Sequence, residues 1–161
     1  MGVVLATVLA HPARAGPRAL APVRIISMDA EHVVGLVAGV AAGEAGARSV
    51  RRARVATYSP TQDDVADASG RFVGKANVSV FQLQVDCDGA RIRAAAADYF
   101  QWPDPVRTHH VDYDKALFIP AEEDHSRAIV SAVCTGPADG AATLDPVPDL
   151  DLFVQAAKAH F

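Results

Sequence analysis

The sequence predicts an α+β domain, a small antiparallel β-sheet with a C-terminal helix tethered to the sheet by one disulfide. Three observations carry this reading. Short segments of alternating or β-branched apolar residues recur from Val23 to Asp112, and two of them meet at a polar Asp88-Gly89 turn. Helical periodicity is confined to two late segments, near residues 121–134 and 150–161. The only two cysteines, Cys87 and Cys134, fall at the hairpin tip and at the end of the first of those helices. Strands followed by helices are the pattern of an antiparallel sheet with segregated helices. A chain of 161 residues, 50% of them apolar, is long enough for one core and too short to expect two.

The elements follow in order. Gly2 to Ala10 is a short apolar run, and Ala13 and Ala15 supply small residues ahead of Gly16-Pro17, so residues 1–15 read as a probable signal peptide, although no Lys or Arg precedes the run. Val23 to Asp29 alternates as a strand. His32 to Val40 is apolar but interrupted by Gly35 and Gly39, and suits a strand or a helix. Arg48 to Tyr58 reads as a strand with one wet face, Val50, Arg52, Arg54 and Ala56 opposing Arg51, Ala53, Val55 and Thr57. Ser59 to Gly74, rich in Asp, Ser, Thr and Gly, is expected to be an exposed loop.

Asn77 to Cys87 gives the clearest strand signal, with Phe81, Leu83 and Val85 on one face and Gln82, Gln84 and Asp86 on the other. Asp88-Gly89 supplies the positive φ angles of a tight turn, and Ala90 to Phe100 returns as the partner strand. Trp102-Pro103-Asp104-Pro105 is a turn, and Val106 to Asp112 reads as another strand. Pro120 and Glu122-Glu123-Asp124 mark a helix N-terminus, where negative charge suits the dipole; Gly136-Pro137 ends that helix. A linker, 137–148, leads to an amphipathic helix carrying Leu150, Phe153, Val154, Ala157 and Phe161. The domain proper is thus expected at 16–136, and the linker and final helix at 137–161.

Charge narrows the function classes. A net charge of −4 argues against a nucleic-acid partner, whose footprint is a basic surface. Arg48, Arg51, Arg52 and Arg54 form the one basic cluster, and with no aromatic residues interleaved they read as a solvated strand face rather than a phosphate site. The apolar run at the N-terminus is too short to span a bilayer as a helix. The even cysteine count, the export signal and the placement of both cysteines at the ends of elements predict a Cys87–Cys134 bond and a periplasmic or secreted location.

A strand ending in Asp86-Cys87, a polar turn, a strand opening with Arg91-Ile92-Arg93, a variable segment and a helix ending in Val133-Cys134 resemble the surface-adhesin protein E family. Ile26 to Asp29, Arg51 to Tyr58, Ser79 to Tyr99 and Phe118 to Cys134 carry the likeness. The resemblance implies a small secreted bacterial domain with the helix held to the sheet by the Cys87–Cys134 bridge, adhesion to proteins as its activity, and no catalytic residues. No cofactor is expected, and the partner is an unidentified protein. The interaction surface is expected at Arg51, Arg52, Arg54, Asp63 and Asp64, where the arginine strand enters the acidic 59–74 segment.

The alternative is a metal-binding or metal-dependent periplasmic protein. His109-His110-Val111-Asp112-Tyr113-Asp114 is the one sequence cluster of metal-ligand type, and in a strand His110, Asp112 and Asp114 share a face, with His125 a conceivable further ligand. Asp63, Asp64 and Asp67 lack the glycine and terminal glutamate of a calcium loop and read as solvated. Cleavage of the leader is expected before Gly16. Intact-mass measurement of exported protein should find a chain starting at Gly16, and a cytosolic chain retaining Met1 would overturn the export reading.

Overall fold

The computed structural model describes residues 20–42, 49–104, 106–136 and 147–161. The expected leader, Arg48 and residues 137–146 of the linker lie outside the described residues. Within them the chain forms strands β1 (Leu20–Ala21), β2 (Val23–Met28), β3 (Val33–Val37), β4 (Ala41–Ala42), β5 (Val50–Ala66), β6 (Phe72–Asp86), β7 (Arg91–Phe100), β8 (Arg107–Asp112), β9 (Ile119–Pro120) and β10 (Val147–Pro148). Two helices accompany them, α1 (Asp124–Thr135) and α2 (Leu150–Lys158).

The main sheet is an antiparallel meander in the order β2-β3-β5-β6-β7-β8. β4 continues the line of β3 along β5, and β9 continues that of β8 along β7. β1 and β10 pair in parallel outside this sheet, and β10 leads directly into α2, whose N-terminus is capped by the Asp149 carboxylate accepting from Leu152 N. No helix among the described residues is long and apolar enough to cross a membrane.

Strand alternation sends two apolar sets to opposite sides. On the first face Val34, Leu36, Ala53, Val55, Leu83 and Val85 are covered by Ile129 and Val133 of α1. On the second, Val33, Ala56, Tyr58, Val78 and Val80 are covered by Phe153, Val154 and Ala157 of α2. β3 is therefore buried on both sides, every residue from Val33 to Val37 being inaccessible. That explains why His32 to Val40 carries no alternation by which to tell strand from helix. Gly35 in its middle is a packing requirement, since a Cβ there would stand 2.6 Å from Val23 Cγ1 and 2.8 Å from the Phe153 ring.

Two expectations are corrected. Ser59 to Gly74 is not a loop: β5 runs on to Ala66, β6 begins at Phe72, and only the turn Asp67–Arg71 separates them. The polar residues remain in the ladder, Asp64 lying opposite Lys75 with an ion pair of 2.9 Å, while Val65 is buried against Ala76, Ala97, Tyr99 and Val111. The Asp67 carboxylate closes the turn by accepting from Ser69 and Arg71 amides. In the β6–β7 turn the left-handed residue is Ala90, at φ 47°, rather than Asp88 or Gly89; Asp86 holds the turn by accepting from Gly89 N and from the Arg91 guanidinium.

Cys87 at this turn and Cys134 in the last turn of α1 are bonded, with Cα atoms 5.6 Å apart. Arg51 secures the same helix end, its Nη1 donating to the carbonyls of Val133 at 2.7 Å and Gly136 at 2.6 Å. The bridge closes a separation of 47 residues, worth about 4 kcal/mol in the chain-entropy account. Cys87→Ala with Cys134→Ala should therefore lower the urea-unfolding free energy by about 2–4 kcal/mol. Unreduced, denatured wild type should give no free thiol, and two free thiols would contradict the fold described.

Candidate functional site

α1 covers the first face of the sheet at the disulfide end and leaves the other end open. Part of the reason lies in β7, where Leu83 of β6 stands opposite Ala94, a side chain too small to fill the space above it. The result is a cavity of about 900 Å³. Its floor is the sheet, with Val55, Thr57, Ser79, Phe81 and Tyr99; one wall is Ile129 of α1, and another is Ala116 and Leu117 from the connection between β8 and β9. The Tyr99 hydroxyl meets that of Tyr113 at 2.8 Å, and burial together with this bond pushes the Tyr99 phenol up. Leu117 is 81% exposed and Ile119 58% exposed, so the apolar lining continues outward over the rim.

Polar groups gather at one side of the mouth. His125 sits in the first turn of α1, Asp29 and His32 in the turn between β2 and β3, and Asp63 on the extended arm of β5. His125 Nε2 lies 2.8 Å from Asp29 Oδ2, and its Nδ1 lies 2.8 Å from Ser27 Oγ. Asp29 Oδ1 accepts from the amides of Glu31 at 2.8 Å and His32 at 2.7 Å. These two amides, with help from His125, hold the Asp29 carboxyl down at about 2. His32 Nε2 is 3.3 Å from Asp63 Oδ2. Asp29, His32 and His125 each offer a ligand atom within 4.8 Å of the others, the one such group of three among the described residues.

The residues singled out from sequence are distributed otherwise. His109 and His110 point to opposite faces, as strand neighbours must. His109 packs over Gly74, where an added Cβ would come within 2.1 Å of its Nε2. His110 lies between two carboxylates, Nδ1 at 2.7 Å from Asp98 and Nε2 at 3.1 Å from Asp112, while Asp114 stands exposed in the following turn. The structure does not bring these four together around a common point. Arg52 is exposed, Arg51 caps α1, and Arg54 is half-buried on the second face. Asp63 and Asp64 both line the cavity. Asp29 and His32 were not singled out as site residues from sequence, because His125, which meets Asp29, lies 96 residues further along the chain.

Comparison with protein-family models, curated proteins and solved structures finds no match to this chain. Its function is therefore argued from the geometry.

The Asp98–His110 pair makes a pH prediction. Burial works to raise the Asp98 carboxyl, but hydrogen bonds from His110 and Arg107 outweigh it and lower it; the bond from Asp98 raises His110 above its ordinary 6.5. A raised histidine contributes stability that is complete below 6.5 and is lost as the pH climbs through its folded value. NMR titration should place His110 above 6.5 in wild type and nearer to it in Asp98→Asn. A His110 value at or below 6.5 in wild type would contradict the pairing.

Proposed function

We propose that this chain is a non-catalytic protein-binding domain acting in the periplasm or after secretion, and that it takes apolar side chains of its partner into the cavity beside α1. One observation carries the reading, the continuation of the cavity lining onto exposed Leu117 and Ile119. A small enclosed ligand has no use for apolar surface outside the pocket, whereas a partner segment that inserts an anchor and runs on across the rim buries both. Around this apolar centre stand charges of both signs, Arg93, Asp63, Asp64 and Glu123, an arrangement of apolar core and polar rim common at protein interfaces.

The disulfide supports an oxidising compartment. The likeness to surface-adhesin protein E supports a protein as the partner and adhesion or an envelope role as the purpose. The docking surface is thereby moved from the arginine strand, part of which is engaged with α1, to the side of the sheet that Asp63 and Asp64 border.

A random peptide library displayed against the immobilised, oxidised protein tests the reading. Peptides rich in aromatic and aliphatic residues should be enriched, and Leu117→Asp with Ile119→Asp should weaken them by about 10-fold or more. Both side chains are exposed, so the thermal midpoint should stay unchanged. No enrichment, or binding indifferent to the double replacement, would overturn the proposal.

A further inference from the structure

We infer that Asp29, His32 and His125 form a binding site for a divalent transition-metal ion of the zinc type at the mouth of the cavity. The inference is independent of the protein-binding reading. Two imidazoles and one carboxylate are a borderline donor set that suits zinc, whereas calcium and magnesium favour oxygen ligands alone. Ligands about 2.1 Å from a zinc ion stand roughly 3.4 Å from one another in a tetrahedron. The donor atoms of this group already lie within 4.8 Å of each other, so small side-chain rotations close the site.

The surroundings hold the donors in place. Asp29 commits Oδ1 to two backbone amides and leaves Oδ2 turned to His125. The Asp29 amide in turn donates to the His32 carbonyl, so two of the three ligands belong to one closed turn. Ser27 Oγ holds His125 Nδ1, which directs Nε2 inward. Asp63 orients His32 through its Nε2. Bonds of this kind to the outer atoms of ligating side chains fix their orientation and raise metal affinity. An ion entering between the two side chains requires the His125 tautomer with its proton on Nδ1, donated to Ser27 Oγ, and a bare Nε2 facing the ion and Asp29 Oδ2.

His110 makes the contrast plain. Both of its nitrogens face carboxylates, but those carboxylates flank the ring on opposite sides and converge on no common point with a second imidazole. At the proposed site the converging atoms come from the β2–β3 turn and from α1, elements 96 residues apart. Three protein ligands leave a coordination position open. Since His32 and His125 both line the cavity, that position lies at its entrance.

Zinc chloride titrated calorimetrically into chelator-treated, oxidised full-length protein should show one saturable site per chain. Ser27→Ala should weaken it by about 10-fold. His125→Gln and Asp29→Asn should abolish saturation at the same concentrations, while His110→Gln should not alter it. Cobalt(II) added to wild type should give the visible absorption of a low-coordinate nitrogen and oxygen site, a readout that needs no variant to fold. Absence of saturable zinc and cobalt binding would overturn the inference. So would binding that survives His125→Gln and disappears with His110→Gln.

Discussion

The ladder between β5 and β6 joins the two longest strands, and the rest of the molecule is arranged around it. From Val50 opposite Asp86 to Ala66 opposite Phe72 it presents one apolar row upward and another downward. β3 and β7 add to its two sides, and each helix finds its docking surface on residues that this pairing has put in register. A slip of β6 by one residue along β5 would exchange its two rows, sending Leu83 and Val85 to the side of α2 and Val78 and Val80 to that of α1. The irregularity between Tyr58 and Asp63 is the one point near the middle where the alternation is reset. Beyond it the arm carries Asp63, Asp64 and Val65 to the cavity.

The cavity is then a consequence of where α1 is anchored. Cys134 and the carbonyls held by Arg51 fix its C-terminal end over Val85 and Ala53. A helix of 12 residues from that anchor reaches only part of the way across the face. The remaining floor is apolar because the same strands are buried elsewhere along their length, and it stays open in part because β7 places the small Ala94 there. Stability at the anchored end and openness at the other arise from one placement.

Much of this architecture was legible in the sequence. Phe81, Leu83 and Val85 announced β6 by strict alternation, and the two cysteines announced the tether, since both signals are local or arithmetical. The strand nature of β3 was not, because burial on both sides removes the period that distinguishes strand from helix. The outer part of β5 and β6 was hidden for the opposite reason: Asp63 and Asp64 pair through their backbones while their side chains meet solvent, so composition reads as loop. Composition and spacing along one segment pointed to His109, His110, Asp112 and Asp114. They said nothing of Asp29 with His32 and His125, whose meeting depends on how α1 crosses the end of β2.

β8 acquires a different meaning from its position at the margin of the sheet. A terminal strand offers unpaired backbone groups to any passing chain, and long flat apolar margins recruit further strands. This one is six residues long and carries Arg107, Thr108, His109, His110 and Asp112 around the single buried Val111. Ionic contacts of Arg107 and His110 with Asp98 keep two of those polar side chains beside the outermost rung. The charged and histidine-rich side chains thus make this margin a poor template for strand addition.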